Sequence, residues 1–194
     1  MRNKNNEFNI VIVGTGGQGL VTLLQILAEA VLIEGYDIRT SELHGLSQRG
    51  GSVEVHIRFG KKIFSPIVSA SKADLILALE MQEALRGGVF ANQKTKFLIN
   101  QFIQPIPLVK NLSEKEIIFN LKEITKNVEI IPAEKTCQEK LGNSIVSGIY
   151  LISYASFKNI IHLKPNSIEK AIKKIIPEKY LELNLKAFDL ASKK

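Results

Sequence analysis

The sequence is poor in the residues that build metal centres and cross-links. It has one cysteine, Cys137, in 194 residues, which excludes an intramolecular disulfide and any four-cysteine iron–sulfur or zinc site. Its three histidines, His44, His56 and His162, lack metal-ligand spacing, so no metal is expected. Long apolar runs are missing too. The longest, around residues 21–33 and 145–155, are interrupted by Thr22, Gln25 and Glu29 and by Ser147 and Ser153, short of the roughly 20 residues that span a bilayer. Met1–Phe8 contains no apolar core of signal-peptide length, and a cytoplasmic address without membrane contact is expected. Nor is there a basic stretch with interleaved aromatics. The net charge of +7 comes from 26 basic and 19 acidic residues, scattered apart from doublets such as Lys61-Lys62 and Lys173-Lys174. A diffuse surplus reads as a solvated lysine-rich surface rather than a nucleic-acid site.

What is present is an ordinary globular composition, 45% hydrophobic and 23% charged, of a length suited to one domain over 1–194. Residues 9–13 form a short β-branched run that ends in Gly14-Thr-Gly16-Gly17-Gln18-Gly19. Leu20, Leu23, Leu24, Leu27, Ala28 and Val31 then recur at helical spacing through residue 34, and Gly35 closes the helix. With a second strand over 36–41, residues 9–41 are expected to form a βαβ unit with parallel pairing. Residues 53–59 alternate apolar and polar, turn at Gly60-Lys-Lys62 and return through 63–65, a half-exposed antiparallel hairpin. Residues 74–79, 96–100 and 127–131 read as strands of the main sheet. The remainder is helical. Ser113 and Glu116 form a capping-box pattern for a helix to about 126, and further helices are expected over 133–141, 144–157, 167–175 and 178–191. The fold class is therefore α/β: a Rossmann-like, mostly parallel sheet with helices on both faces, a hairpin insertion and a helical C-terminal third.

Two segments carry the candidate chemistry. Gly14-x-Gly16-x-x-Gly19 follows a strand and opens a helix, the context of a dinucleotide fingerprint, in which glycines permit a tight turn and helix amides favour an anion. The ribose-binding acid expected at the end of the second strand has one candidate, Glu42, since Asp37 comes too early. A purely structural turn remains an equal reading. The polar loop from Glu42 to Ser52 holds His44, Gln48, Arg49, Gly50, Gly51 and Ser52. Both segments belong beyond the carboxyl ends of the strands, facing one crevice. There Arg49 is a candidate clamp for a carboxylate or phosphate, and His44 a candidate supporting donor. Glu80, with Gln82 and Glu83 nearby, is placed to reach the same crevice. His56 is expected to pack within its strand, His162 to satisfy carbonyls at a helix end, and Cys137 to fill core space.

Three stretches also carry a resemblance. Gly14-Thr-Gly-Gly-Gln-Gly19 with its preceding strand, Ser41-Glu-Leu-His-Gly-Leu-Ser-Gln-Arg-Gly-Gly-Ser-Val53, and Asp74-Leu-Ile-Leu-Ala-Leu-Glu80 resemble the gamma-type domain of 2-oxoacid:ferredoxin oxidoreductases, in the branch of the indolepyruvate-type small subunits. The ending Ile176-Pro-Glu-Lys-Tyr-Leu-Glu-Leu-Asn-Leu-Lys-Ala-Phe188 resembles that branch as well. The resemblance implies a hetero-oligomer. A large partner subunit would carry thiamine diphosphate, Mg and [4Fe–4S] clusters. The complex would oxidatively decarboxylate an aryl-2-oxoacid, reduce ferredoxin and release an acyl-coenzyme A. This chain has no Gly-Asp-Gly segment followed by an Asn-Asn pair, the usual thiamine diphosphate signature, so its implied part is to complete and cover the active site and contact coenzyme A. A stand-alone NAD(P)- or flavin-binding oxidoreductase and a noncatalytic binding module stay open as alternatives.

Overall fold

The computed structural model describes residues 7–45, 50–105 and 111–193. In chain order the elements are β1 (Phe8–Thr15), α1 (Leu20–Ile33), β2 (Asp37–His44), β3 (Ser52–Gly60), β4 (Leu75–Ala78), α2 (Met81–Gly87), β5 (Lys96–Asn100), α3 (Glu114–Ile124), β6 (Val128–Ile131), α4 (Ala133–Leu141), α5 (Ser147–Phe157), α6 (Pro165–Ile175) and α7 (Glu178–Ala191), with short 3-10 turns at Gly88–Phe90 and Ser144–Val146. One six-stranded sheet runs in the order β2-β3-β1-β4-β5-β6.

Alternation along the strands divides the core in two. Ile10, Ile12, Leu75, Leu77 and Leu98 point to the face covered by α1 and α4 to α7. Val11, Val13, Ile76, Ala78, Phe97 and Ile99 point to the thinner layer made by α2 and α3. Successive strand residues face opposite sides, so β1, β4 and β5 are apolar at nearly every position. Each such fully buried aliphatic or aromatic side chain contributes roughly 1.5–3 kcal/mol. The glycines that matter to the framework are few. Gly35 adopts φ 80° after α1, and a Cβ on Gly148 would lie 2.9 Å from a Leu23 methyl, so α5 packs against α1 at the distance that glycine allows.

The mostly parallel α/β architecture is as the sequence indicates, but the first unit is wired differently. β1 and β2 run in the same direction without pairing: β3 lies between them, antiparallel to both. A loop over 45–51 is too short to carry the chain across the sheet, so β3 folds back on β2 as a hairpin and fills the place beside β1. The return expected over 63–65 is not a strand. Instead the Ile63 amide donates to Asp37 Oδ2 at 2.8 Å, fastening the connection to the start of β2. Nor is β3 half exposed. Its polar residues are taken up internally, with His56 Nε2 2.7 Å from Glu54 Oε1 and Arg58 3.0 Å from Glu7.

The helices match more closely. The capping box at Ser113 and Glu116 is formed, and α4 and α7 occupy the expected spans. His162 lies beyond the end of α5 and packs at a tilt against Phe8, with centroids 4.6 Å apart and planes 42° apart, rather than closing a helix. Helix α2 gave no apolar period to read. It is seven residues long, and Glu80 serves as its N-cap by accepting from the Glu83 amide.

Candidate functional site

Four strands, β1, β4, β5 and β6, end on the same edge of the sheet, and their following turns surround an open cleft of about 300 Å³. The glycine turn forms one wall with Thr15, Gly16, Gly17 and Gln18. Gln104 lies beside it, Glu134 enters from the first turn of α4, and Ser144, Ile145 and Ser147 close the far side ahead of α5.

The glycine turn is locked from within. Gln18 folds over Gly14: its Oε1 accepts from the Thr15 amide at 2.8 Å and its Nε2 donates to the Leu79 carbonyl at 3.2 Å. A Cβ on Gly14 would stand 2.7 Å from that same Oε1 and 3.2 Å from Leu79, so any side chain there displaces Gln18 from its two bonds. Gly17 and Gly19 have φ of 101° and 78°, the left-handed region that side chains avoid. The Gly16 amide donates to the Gly51 carbonyl at 2.8 Å, and the Gly50 amide returns a bond to Gly16 at 3.2 Å. Three of the turn's amides, those of Thr15, Gly16 and Gln18, are thus committed to the protein itself. Those of Gly17 and of the first turn of α1, which carries no acidic residue, remain for a ligand.

The second glycine segment therefore meets the first backbone to backbone, although Gly50, Gly51 and Ser52 are not among the residues lining the cleft. Ser52 continues the contact inward, its hydroxyl donating to Glu83 Oε2 at 2.5 Å. Glu42 is not part of this group. It sits exposed on the edge strand β2 opposite Val55. With β3 interposed, it is roughly 10 Å from β1 by strand spacing, where a ribose beside the glycine turn would be out of reach. His44 ends β2 opposite Val53; its side chain, and Gln48 and Arg49 altogether, lie outside the described residues.

Several residues of the site had no motif to announce them. Asn100, only 1% exposed, donates from Nδ2 to the Leu79 carbonyl at 3.2 Å and accepts the Glu134 amide on Oδ1 at 3.1 Å, joining β4, β5 and α4 below the cleft. Gln104 Oε1 accepts from Thr15 Oγ1 at 2.9 Å. Burial raises the Glu134 carboxyl above the ordinary carboxylate range. Burial likewise raises Glu80, against the pull of amide hydrogen bonds from Glu83 and Gln104. Glu80, expected to reach the crevice, is instead buried as the cap of α2 and does not line the cleft; Asn100, Gln104 and Glu134 gave only a weak sequence signal, each being a single polar residue near a strand or helix end.

The residues do not suit the redox groups of iron–sulfur enzymes. Cys137 is fully buried, and burial pushes its thiol up to about 11, the reverse of what a thiolate ligand needs. Among the described residues no three His, Cys, Asp or Glu side chains are grouped to hold a metal ion. Also among them, no helix is long and apolar enough to cross a membrane.

This fold is shared with solved oxidoreductase chains. The gamma subunit of keto/oxoacid ferredoxin oxidoreductase from Geobacter sulfurreducens superposes with a TM-score of 0.71 at 21% identity, over 97% of this chain and 95% of that one. The 2-oxoglutarate:ferredoxin oxidoreductase of Magnetococcus marinus gives 0.72 at 16% identity, over 98% of this chain and 31% of that longer one. At these identities the likeness is one of fold. Residues 9–194 match the pyruvate ferredoxin/flavodoxin oxidoreductase family, and the chain belongs to that family. Among curated relatives, the indolepyruvate oxidoreductase subunit IorB of Pyrococcus horikoshii is 37% identical, covering 96% of this chain and 95% of its own. Its namesake in Thermococcus kodakarensis is 34% identical with the same coverage. The resemblance carried by a few short segments thus extends along nearly the whole chain.

Proposed function

We propose that this chain is the small subunit of an indolepyruvate-type 2-oxoacid:ferredoxin oxidoreductase. In that complex a larger subunit carries thiamine diphosphate, Mg and [4Fe–4S] clusters, and this chain completes and covers the active site on the side where coenzyme A enters. The observation that carries the reading is the near full-length identity of 34–37% to relatives named as IorB subunits. The chemistry of the chain supports the division of labour. One buried, protonated cysteine cannot ligate a cluster, so electrons must be handled elsewhere.

The cleft supports the coenzyme A side of the reading. Its described walls combine the Ser144 and Ser147 hydroxyls, the Gln104 side chain and one carboxyl, Glu134, with the apolar Leu79, Phe102 and Ile145, a lining able to hydrogen-bond and pack an amide-bearing acyl carrier. The amides of Gly17 and the α1 terminus supply an anion-friendly end. Arg49, His44 and Gln48 are assigned to the partner interface or the acyl acceptor, since Gly50 and Gly51, which follow them in sequence, bond the glycine turn. The internal commitment of the turn's amides and the remote Glu42 both weigh against a stand-alone nicotinamide or flavin enzyme.

Co-expression with the large subunit tests the proposal. The expected product is a brown complex that oxidises indolepyruvate with a viologen acceptor only when both chains and coenzyme A are present. Turnover by the large subunit alone at the rate of the mixture would refute the assigned role. Binding of a nicotinamide or flavin by this chain alone would favour the stand-alone enzyme instead.

A further inference from the structure

Two segments beside the glycine turn, 50–52 and 102–104, are far apart in sequence yet tied to one place, the first turn of α2. Ser52 Oγ donates to Glu83 Oε2 at 2.5 Å. The Gln104 amide donates to Glu80 Oε1 at 3.0 Å, while Glu80 Oε2 accepts the Glu83 amide at 2.7 Å. Gln82 Nε2 donates to the Gln104 carbonyl at 3.2 Å, and the Met81 amide to the Phe102 carbonyl at 2.9 Å. From Gln104 the linkage passes to the glycine turn through Thr15 Oγ1. Arg86 holds the second oxygen of Glu83 at 3.1 Å.

Both carboxyl groups are nearly excluded from solvent, at 1% for Glu80 and 5% for Glu83, although acids seldom occupy such positions unless paired. Stability alone does not call for them, because apolar residues of similar volume usually serve a buried site as well or better. What carboxylates add is direction: each oxygen fixes a particular amide or hydroxyl. Neither is among the groups lining the cleft. Any influence on a ligand therefore passes through Ser52, Gln104 and the turn they support.

We infer that Glu80 and Glu83 are positioning residues that set the geometry of the cleft's glycine-turn wall through Ser52 and Gln104, and so set the affinity of the complex for its acyl acceptor. The inference rests on the reading of the cleft as the coenzyme A side of the active site.

The test uses the complete two-subunit complex carrying Glu83→Gln, Ser52→Ala, Ser52→Thr and the double variant Glu83→Gln/Ser52→Ala. Glu83→Gln and Ser52→Ala are each expected to raise KM for coenzyme A about tenfold, the equivalent of one charge-assisted hydrogen bond. In both, kcat stays within about twofold of wild type. Ser52→Thr keeps the hydroxyl and the wild-type KM. The double variant is no worse than either single, because both remove the same link. An unchanged KM in Glu83→Gln, or effects that multiply in the double variant, would overturn the inference. If Glu83→Gln fails to fold, the contrast between Ser52→Ala and Ser52→Thr decides: equal KM values refute it. Ser144→Phe, which fills the cleft without touching α2, separates this inference from the reading beneath it. A KM raised by Ser144→Phe but not by Glu83→Gln refutes the positioning role alone. A KM raised by neither refutes both.

Discussion

The two edges of the sheet use polar groups in opposite ways. At the amino edge of β1, a cleft of about 210 Å³ is lined by Glu7, Asn9, Arg58, Val68, Ser69 and Lys72, and its Arg58 and Glu7 are spent on each other. Arg58 bonds Glu7 at 3.0 Å, Asn9 Oδ1 at 2.9 Å and the Ser65 carbonyl at 3.0 Å, while the Asn9 amide donates to Asp74 at 2.8 Å. At the carboxyl edge the bonds fasten loops, and neutral donors and one carboxyl are left facing the cleft. Similar hollows therefore have different meanings: one is a closed network that joins strand to loop, and the other is a prepared wall. The rule that open α/β sheets bind beyond their carboxyl ends has this local expression, since among the described residues the turns after β1, β4, β5 and β6 converge there around one cleft.

Substitutions can break this contrast, the largest effect coming first. Gly14→Val forces Gln18 off Thr15 and Leu79 and overpacks the turn. It is expected to destabilise by about 3 kcal/mol in chemical denaturation of the isolated chain and to impair the complex as well. Arg58→Ala leaves Glu7 and Asn9 without their partner. It is expected to lower stability by about 2 kcal/mol, with no change in KM for coenzyme A in the assembled enzyme.

Glu80 offers a test by pH. Burial raises its carboxyl above the ordinary 4.5, so between that value and the raised native one the folded chain binds the proton more readily than the unfolded chain. Stability from this group is fully present below the window and declines as pH rises through it. Asp74 and Glu134, also raised by burial, act with the same sign. The difference between wild type and Glu80→Gln in denaturation midpoints from pH 4 to 8 therefore isolates Glu80: wild type should lose stability relative to the variant as pH rises. The smallest effect belongs to Tyr150, whose buried hydroxyl has no hydrogen-bond partner among the described residues. Tyr150→Phe is expected to be neutral or stabilising by up to about 1 kcal/mol in the same denaturation measurement.

Much of this was legible in the amino acids. The strands 96–100 and 127–131 and the capped helix after Ser113 followed from local rules of period and capping. The place of β3 did not. Its alternating Glu54, His56 and Arg58 look solvent-facing, and only tertiary partners such as Glu7 for Arg58 and the Val68 amide for His56 let these side chains sit within a sheet. The site was readable in its glycines, which announce backbone requirements. It was opaque in Asn100, Gln104 and Glu134, whose roles depend on strand ends brought together by the fold. Gln18 shows the limit of a motif: the fingerprint spacing is present, yet a side chain of the turn itself occupies part of what the spacing suggests for a ligand.

The comparison between the edges is decided most directly by KM for coenzyme A in two assembled complexes, one carrying Ser144→Phe at the carboxyl edge and the other Arg58→Ala at the amino edge. The expected result is a rise of about tenfold or more for Ser144→Phe, as for loss of a good hydrogen-bonded contact surface, and a wild-type value for Arg58→Ala. Equal KM values in the two complexes, or a rise confined to Arg58→Ala, would contradict the assignment of the carboxyl-edge cleft.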